Sequence, residues 1–125
     1  MKKKLGKVAQ FINGKAFKPS DWEPNGRKII RIQNLTDSSK AYNRTTLDVE
    51  SKYLVNPGDL LVSWSASLGV FIWNQLETAV LNQHIFKVVP DLNIVNKSYL
   101  YYALDLALIN MNRFLHGSTM KPTPN

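Results

Sequence analysis

The sequence predicts an α+β domain in which a twisted, largely antiparallel sheet is followed by a long C-terminal helix. Up to residue 90, short apolar or β-branched runs alternate with turn residues, which is the pattern of strands. After residue 97 the apolar spacing changes to i, i+3, i+4, i+7, the period of a helix. Strands first and a helix last argue against alternating βαβ units. The length allows one domain, expected at residues 1–120 and followed by a loose tail at 121–125.

The N-terminal half divides into four segments. Leu5–Phe11 has the apolar content of a short helix or strand. Prolines and glycine make residues 18–27 a run of turns. Lys28–Leu35 is predicted as a strand because its three isoleucines are β-branched. The polar segment Thr36–Lys52 lacks a core signal and is predicted as a loop or a poorly buried hairpin.

The C-terminal half carries the clearer signals. The predicted elements are a turn at residues 56–59, a strand at Leu60–Trp64, an apolar run at Gly69–Trp73, strands at Thr78–Leu81 and His84–Val89, and a helix at Lys97–Leu115. Pro90 should end the last strand, because proline cannot donate to a sheet ladder. Asn96 or Ser98 can cap the start of the helix.

The charge balance points to an anionic partner. Sixteen Lys and Arg residues against nine Asp and Glu residues give a net charge of +7. Nucleic acid or a membrane surface would suit this excess. The longest uncharged run, residues 60–76, is too short and too polar to cross a bilayer. The basic start lacks the apolar stretch of a signal peptide, so we expect a soluble, cytoplasmic chain with no membrane partner.

Catalytic patterns are weak in this sequence. There are no cysteines, two histidines and no glycine-rich phosphate loop, so we expect no metal and no cofactor. Ser63, His84 and Asp59 could be assembled into a triad on paper, but nothing around Ser63 resembles a nucleophile elbow. His84 is interpreted instead as a strand residue with a hydrogen-bonding role. We therefore predict a binding module and not an enzyme.

Basic residues are interspersed with Asn, Gln, Ser and Thr along most of the chain. Asn and Gln can pair with adenine, Arg and Lys with guanine, and Ser or Thr with either base. The alternative is that the amides lie in ordinary turns and the lysines only solubilise the protein. Charge and composition alone leave both interpretations open.

The order and spacing of five segments favour one of these two interpretations, nucleic-acid recognition. They are GKAFKPSDW at residues 14–22, IIRIQNL at 29–35, PGDLLVSWSASLG at 57–69, AVLNQHIFKV at 79–88 and HGSTM at 116–120. In this order they resemble the target recognition domain of the specificity (S) subunit of type I restriction–modification systems. The resemblance covers roughly residues 5–120. No single segment is diagnostic, so the match depends on the set.

The resemblance implies that the chain reads one half of a bipartite sequence in double-stranded DNA. Separate methyltransferase and translocase/nuclease subunits would then carry out the chemistry. The candidate DNA-binding residues are cationic, amide or hydroxyl side chains in or near the matching segments, namely Lys18, Arg31, Gln33, Asn34, Lys40, Arg44, Ser63, Ser65, Ser67, Gln83, Ser118, Thr119 and Lys121.

Some of these candidates are assigned distinct roles. Arg31 and Gln33 are expected on one face of the predicted strand. Lys40 and Arg44, in the polar segment that follows, are expected to contact phosphates. Gln33 and Asn34 could pair with an adenine edge, although Asn34 could instead bond the backbone of its own turn.

Three questions stay open at this stage. In the family, long helices that follow the Gly-Ser-Thr segment help to dock the methyltransferase subunits, and the 125 residues hold no counterpart of them. The chain could thus be a truncated gene product, an excised domain or a lone module, and the methyltransferase subunit is a less secure partner than DNA.

One rival function is a protein-interaction module that binds methyltransferase or specificity subunits, which an exposed apolar patch would favour. The other is a small nuclease, which the missing carboxylate cluster disfavours.

Overall fold

The computed structural model describes residues 9–63 and 69–112, and these have an α+β fold, as the sequence predicts. The elements of these ranges are β1 (Ala9–Asn13), β2 (Arg27–Ile30), α1 (Ile32–Thr36), β3 (Asn43–Thr45), β4 (Leu54–Val55), β5 (Leu60–Ser63), β6 (Gly69–Ile72), β7 (Ala79–Leu81), β8 (Ile85–Pro90) and α2 (Lys97–Asn112). Short 3-10 turns lie at Pro19–Asp21 and Ser51–Tyr53. In this described part of the chain, no helix is long and apolar enough to cross a membrane.

The strands form two four-stranded sheets, where the sequence pattern predicts one. The first sheet has the order β1-β8-β5-β6 and is antiparallel throughout. The second has the order β3-β2-β7-β4, and its central pair, β2 with β7, is parallel. The chain passes from the second sheet to the first at residues 82–84. The apolar pattern cannot reveal this change of sheet, because the strands on both sides of it are equally apolar.

β5 lies between two hydrophobic cores and contributes alternate side chains to each. Leu60 and Val62 pack in the core beneath α2. Leu61 packs with Ile30 and Leu81 in the core of the second sheet. Successive side chains of a strand point to opposite faces, so an apolar run without alternation supplies both cores. This explains why all residues of β5 are buried.

α2 covers the first sheet with one leucine face, as the helical period predicts. Leu100, Leu104 and Leu108 are buried in the core that β5 and β8 share. Asn96 caps the helix, since its Oδ1 accepts a hydrogen bond of 2.7 Å from the Tyr99 N–H. The predicted continuation of the helix beyond residue 112 lies outside the described residues.

The predicted strand Lys28–Leu35 is wrong in its second half. β2 ends at Ile30, and the single helical turn α1 follows. Asn34 turns the chain, because its Oδ1 accepts a hydrogen bond of 3.1 Å from the Arg31 N–H at the helix start. Arg31 and Gln33 therefore do not share a strand face.

Three other segments differ from their predictions or refine them. The segment predicted as a helix or a strand is the strand β1 from Ala9 onward. The polar segment Thr36–Lys52 contains β3, which pairs antiparallel with β2 and buries Thr45, so part of it is a hairpin arm. His84, predicted as a strand residue, precedes β8 because its φ of 74° is incompatible with a strand.

Candidate nucleic-acid interface

A groove of about 380 Å³ opens where β2 passes into α1, beside the turn that joins β7 to β8. Its lining residues are Arg31, Ile32, Gln33 and Thr36 on one side and Asn82, Gln83 and His84 on the other. This Arg31–His84 groove brings together Arg31, Gln33 and Gln83, which the sequence analysis selected from separate segments. Most of its lining groups can donate or accept hydrogen bonds, which suits a polar partner.

The parallel pairing of β2 with β7 explains why the two walls meet. Ile30 lies opposite Leu81 in the register, and the Asn82 N–H donates a hydrogen bond of 3.2 Å to the Ile30 carbonyl. Parallel strands run in the same direction, so the segments that follow β2 and β7 leave the sheet at the same end. The residues that follow each strand are therefore placed side by side.

The segment that leaves β1 fixes the second wall. The Lys15 N–H donates a hydrogen bond of 2.9 Å to the Leu81 carbonyl, and the Gln83 N–H donates one of 2.9 Å to the Lys15 carbonyl. Gly14 passes so close to the wall that a Cβ atom there would lie 1.9 Å from the Asn82 carbonyl oxygen. The absence of a side chain at residue 14 allows this approach.

His84 completes the second wall in a left-handed backbone conformation, with φ at 74°. Its side chain is exposed at the groove. Among residues other than glycine, histidine is one of the few types enriched in this conformation. Neither His84 nor Asn82 is among the binding residues that the sequence predicts. The signal that could have done so is the polar triplet Asn82–His84 between two apolar runs.

Asn34 lies behind the first wall, with 6% of its surface exposed. Its Oδ1 accepts from the Arg31 N–H, and its Nδ2 donates to the carbonyls of Lys40 at 3.4 Å and Ala41 at 3.1 Å. These contacts match the alternative interpretation in which Asn34 bonds the backbone of its own turn. Its amide connects α1 to the polar loop that follows.

Arg31 extends from the first wall toward Trp22, which the sequence analysis did not select. The carbon of the Arg31 guanidinium lies 5.6 Å from the centroid of the Trp22 ring. Trp22 follows the 3-10 turn at Pro19–Asp21, where the Asp21 carboxylate accepts a hydrogen bond of 2.8 Å from the Lys18 N–H. The exposed Lys18 therefore lies in the turn that carries the ring packed against Arg31.

The two cations assigned to phosphates lie in different surroundings. Lys40 is exposed in the loop after α1. Arg44 is half-buried in β3, and its guanidinium donates a hydrogen bond of 2.9 Å to the Gly26 carbonyl. Upstream of Lys40, the Ser39 hydroxyl and N–H bond the Asp37 carboxylate, and these two hydrogen bonds lower the pKa of Asp37.

Among the hydroxyl candidates, Ser63 is the one within the described residues, and it does not line the groove. Ser63 is fully buried in β5, so its hydroxyl does not face solvent. The other candidates lie outside the described residues, namely Ser65, Ser67, Ser118, Thr119 and Lys121.

A second cavity, of about 620 Å³, lies on the other side of α1. Tyr42 and Gln75 are among its lining residues, and the Lys28 ammonium donates a hydrogen bond of 2.6 Å to the side-chain Oε1 of Gln75. The same ammonium lies 3.2 Å from a Glu77 carboxylate oxygen and 4.6 Å from the Tyr42 ring centroid. Lys28 is thus paired with Glu77 and hydrogen-bonded to Gln75. Within the described ranges, no group of three or more His, Asp or Glu side chains is placed to hold a metal ion.

A family model described as the type I restriction modification DNA specificity domain matches residues 1–123. The chain belongs to this family. The resemblance drawn from the five segments is thereby confirmed. This specificity domain is 32% identical over 114 residues to the type I restriction enzyme EcoBI specificity subunit of Escherichia coli. The match covers 86% of the chain and 23% of that subunit.

Solved structures share the fold of this specificity domain. The HsdS subunit from Thermoanaerobacter tengcongensis superimposes with a TM-score of 0.67 at 19% identity, over 86% of this chain and 27% of that one. A structure described as the basis of complex assembly and conformational transition of the type I R-M system gives a TM-score of 0.62 at 21% identity, over 80% and 25%. The chain spans about a quarter of the length of these relatives.

Proposed function

We propose that this specificity domain recognises a short sequence in duplex DNA, one half of a bipartite site, through the Arg31–His84 groove. The observation that supports this is the composition of the groove, which Arg31, Gln33 and Gln83 line together where β2 and β7 end. Arginine donors match O6 and N7 of guanine, and glutamine amides match N6 and N7 of adenine. Such a groove is suited to reading base edges.

Cations outside the groove position the duplex in this proposal. Lys18, Lys40 and Arg44 contact phosphates, which carry most of the salt-dependent affinity and little sequence information. Ser65, Ser67, Ser118, Thr119 and Lys121 are kept as further candidates for phosphate or base contacts. Ser63 and Asn34 are given structural roles, because both are buried.

We also infer that the chain carries out no chemistry of its own and needs no cofactor. In a type I system, separate methyltransferase and translocase/nuclease subunits would act on the DNA that this domain recognises. The methyltransferase subunit is the protein partner in this scheme. The work of the domain would then take place in the cytoplasm, where the DNA and the other subunits meet.

A second candidate function, a protein-interaction module, has one observation in its favour. Tyr99, Tyr102, Leu106 and Ile109 are exposed at a spacing that places them on one face of α2. If this face binds a type I methyltransferase subunit, Tyr102→Glu should weaken capture of that purified subunit and leave duplex affinity unchanged. Loss of duplex binding in the same variant would argue against a separate protein-binding surface.

Titration of a fluorescent duplex, chosen by selection from a randomised pool, tests the main proposal. The log of Kd should rise with the log of salt concentration with a slope of about 4 to 5, because about four to six phosphates lose their counterions. At constant salt, the selected duplex should bind at least about 10-fold more tightly than a scrambled duplex, since each mismatched pair costs about 1–3 kcal/mol. Equal affinities for the two duplexes, or a response flat to salt, would contradict the proposal.

A further inference from the structure

Trp22 is an exposed aromatic residue beside Arg31, and its backbone is anchored. Its N–H donates a hydrogen bond of 3.1 Å to the Pro19 carbonyl, and the N–H of Glu23 donates one of 2.7 Å to the Arg44 carbonyl. The backbone is therefore anchored at Trp22 and at the next residue. Trp22 is nevertheless 38% exposed, so part of a large aromatic residue faces solvent beside Arg31.

Arg31 is anchored at its backbone and packed at its side chain. Its N–H bonds the Asn34 Oδ1 at 3.1 Å, and its carbonyl accepts from the Asn34 N–H at 2.9 Å. The guanidinium carbon lies 5.6 Å from the Trp22 ring centroid, within the range of a cation–π contact. No carboxylate of the described residues lies within 4.0 Å of this guanidinium.

The contact with Trp22 leaves the guanidinium N–H groups of Arg31 available for hydrogen bonds to a ligand. A guanidinium is planar, and its N–H groups point outward within that plane. A cation–π contact with an aromatic ring holds the guanidinium near that ring and does not use its N–H groups. The guanidinium N–H groups of Arg31 can therefore donate two parallel hydrogen bonds to two acceptor atoms that lie in one plane.

We infer that Arg31 reads a guanine in the major groove, through hydrogen bonds to O6 and N7, and that Trp22 is the positioning residue that holds its guanidinium. The inference rests on the proposed function and specifies one base pair of the site. O6 and N7 of guanine are the base-edge acceptors that match a guanidinium fork, whereas the neighbouring amides of Gln33 and Gln83 match adenine. The groove therefore combines one guanine-reading group with two adenine-reading groups.

A phosphate group is the competing acceptor for the same guanidinium. Arginine binds phosphate with the same paired geometry, but a phosphate contact carries no base preference. The two ligands can therefore be separated by exchanging bases while the backbone of the duplex is kept constant.

Selection from a duplex pool with a randomised segment is the first experiment, run on the full chain and four variants. The wild-type pool should contain a preferred guanine that Arg31→Lys selects much less strongly, because lysine keeps the charge and loses the planar fork. The ratio of affinities for guanine over adenine at that position should fall by about 5- to 150-fold in Arg31→Lys. Trp22→Leu should lower the same ratio, and Trp22→Tyr, which keeps a ring, should restore most of it. Arg27→Lys, the same exchange at an exposed residue of β2, should leave the ratio unchanged.

Base analogues then test the acceptor atoms in the selected duplex. Replacing N7 of the preferred guanine by C–H should weaken wild-type binding and should weaken Arg31→Lys binding much less. Hypoxanthine, which keeps O6 and N7 and lacks the minor-groove amino group, should leave wild-type binding unchanged. Thermal melting of every variant identifies any loss of folding.

Two results would overturn the inference and leave the proposed function intact. One is an Arg31→Lys pool with every wild-type preference retained. The other is an equal loss of affinity for all duplexes in that variant, which would indicate a phosphate contact. A wild-type chain that enriches no sequence would refute the proposed function and this inference together.

Discussion

At Gly14 the end of β1 crosses the turn that joins β7 to β8 with no space for a side chain. The atoms that a Cβ would meet there belong to the backbone, the carbonyl oxygens of Asn82 at 1.9 Å and Leu81 at 2.7 Å. Backbone atoms cannot move aside as the end of a flexible side chain can. A substitution at Gly14 should therefore displace the second wall of the groove.

Gly14→Ala should lower the free energy of unfolding by about 3 kcal/mol and Tm by about 10 °C, measured by circular dichroism. Gly58→Ala is the matched control. Gly58 has φ at 92°, but a Cβ there would meet only the Lys97 ammonium, at 3.4 Å, so we expect a loss of about 1 kcal/mol. If the Gly14 variant melts no lower than the Gly58 variant, the close approach does not constrain the wall.

Asn34→Ala should destabilise the protein by about 1–3 kcal/mol, because it leaves the Arg31 N–H and two loop carbonyls without their partner. Its binding to selected and scrambled duplexes should weaken equally. Gln33→Ala, on the exposed side of the same helical turn, should leave Tm unchanged and affect the selected duplex alone. A normal Tm together with a loss confined to the selected duplex would instead assign Asn34 to base reading.

The neighbouring amides Gln33 and Asn34 differ in exposure, and the sequence alone does not predict this difference. The side chains of Gln33 and Asn34 offer the same donors and acceptors, and they follow Arg31 by two and three positions. The structure exposes one amide and buries the other because the chain turns at Arg31, a turn that the β-branched isoleucines do not reveal. Trp22 was missed for a related reason, since only the folded chain places it against Arg31.

Among the elements, α2 gives the cleanest internal comparison of buried and exposed residues. Leu104 is 3% exposed and Leu106 is 46% exposed, on opposite sides of the same helix. Leu104→Ala should cost about 2–5 kcal/mol, because it leaves a cavity between α2 and the first sheet. Leu106→Ala should cost less than about 0.5 kcal/mol. Chemical unfolding of both variants measures the difference, and equal losses would contradict the packing of α2.

The elements also differ in how far the sequence could predict them. α2 was predicted because its signal is local, a leucine repeat with a capping Asn96. The parallel pairing of β2 with β7 was not predicted, because no local pattern states which distant strands become neighbours. That pairing creates the groove. The candidate residues could therefore be predicted individually, and their assembly into one site could not.

On the scale of the whole molecule, the net charge is +7, but the basic side chains differ in how accessible they are to a partner. Lys28 is paired with Glu77 at 3.2 Å, and the Lys52 ammonium lies 4.0 Å from the Glu50 carboxylate. Lys18 and Lys40 are exposed. Lys18 and Lys40 should therefore each contribute more to duplex binding than Lys28 or Lys52 does.

Lys40→Ala should weaken binding to all duplexes alike and reduce the salt slope by about one unit, as expected for the loss of one phosphate contact. Lys52→Ala removes the same charge from a residue beside a carboxylate, and its salt slope should change less. Titrations at several salt concentrations give both slopes. Identical slopes in the two variants would show that Lys40 has no specific contact with the duplex.

Base reading by the groove is tested most directly by the affinity ratio between a selected duplex and its scrambled control, measured for the wild type and for Gln33→Ala/Gln83→Ala at one salt concentration. Both glutamines are exposed, so the double variant should retain the wild-type Tm. Gln10→Ala, at an exposed position of β1, is the matched control and should keep the wild-type ratio. We predict that the ratio of the double variant falls by at least about 10-fold while its affinity for the scrambled duplex is unchanged. An unchanged ratio in the double variant would contradict base reading by the groove.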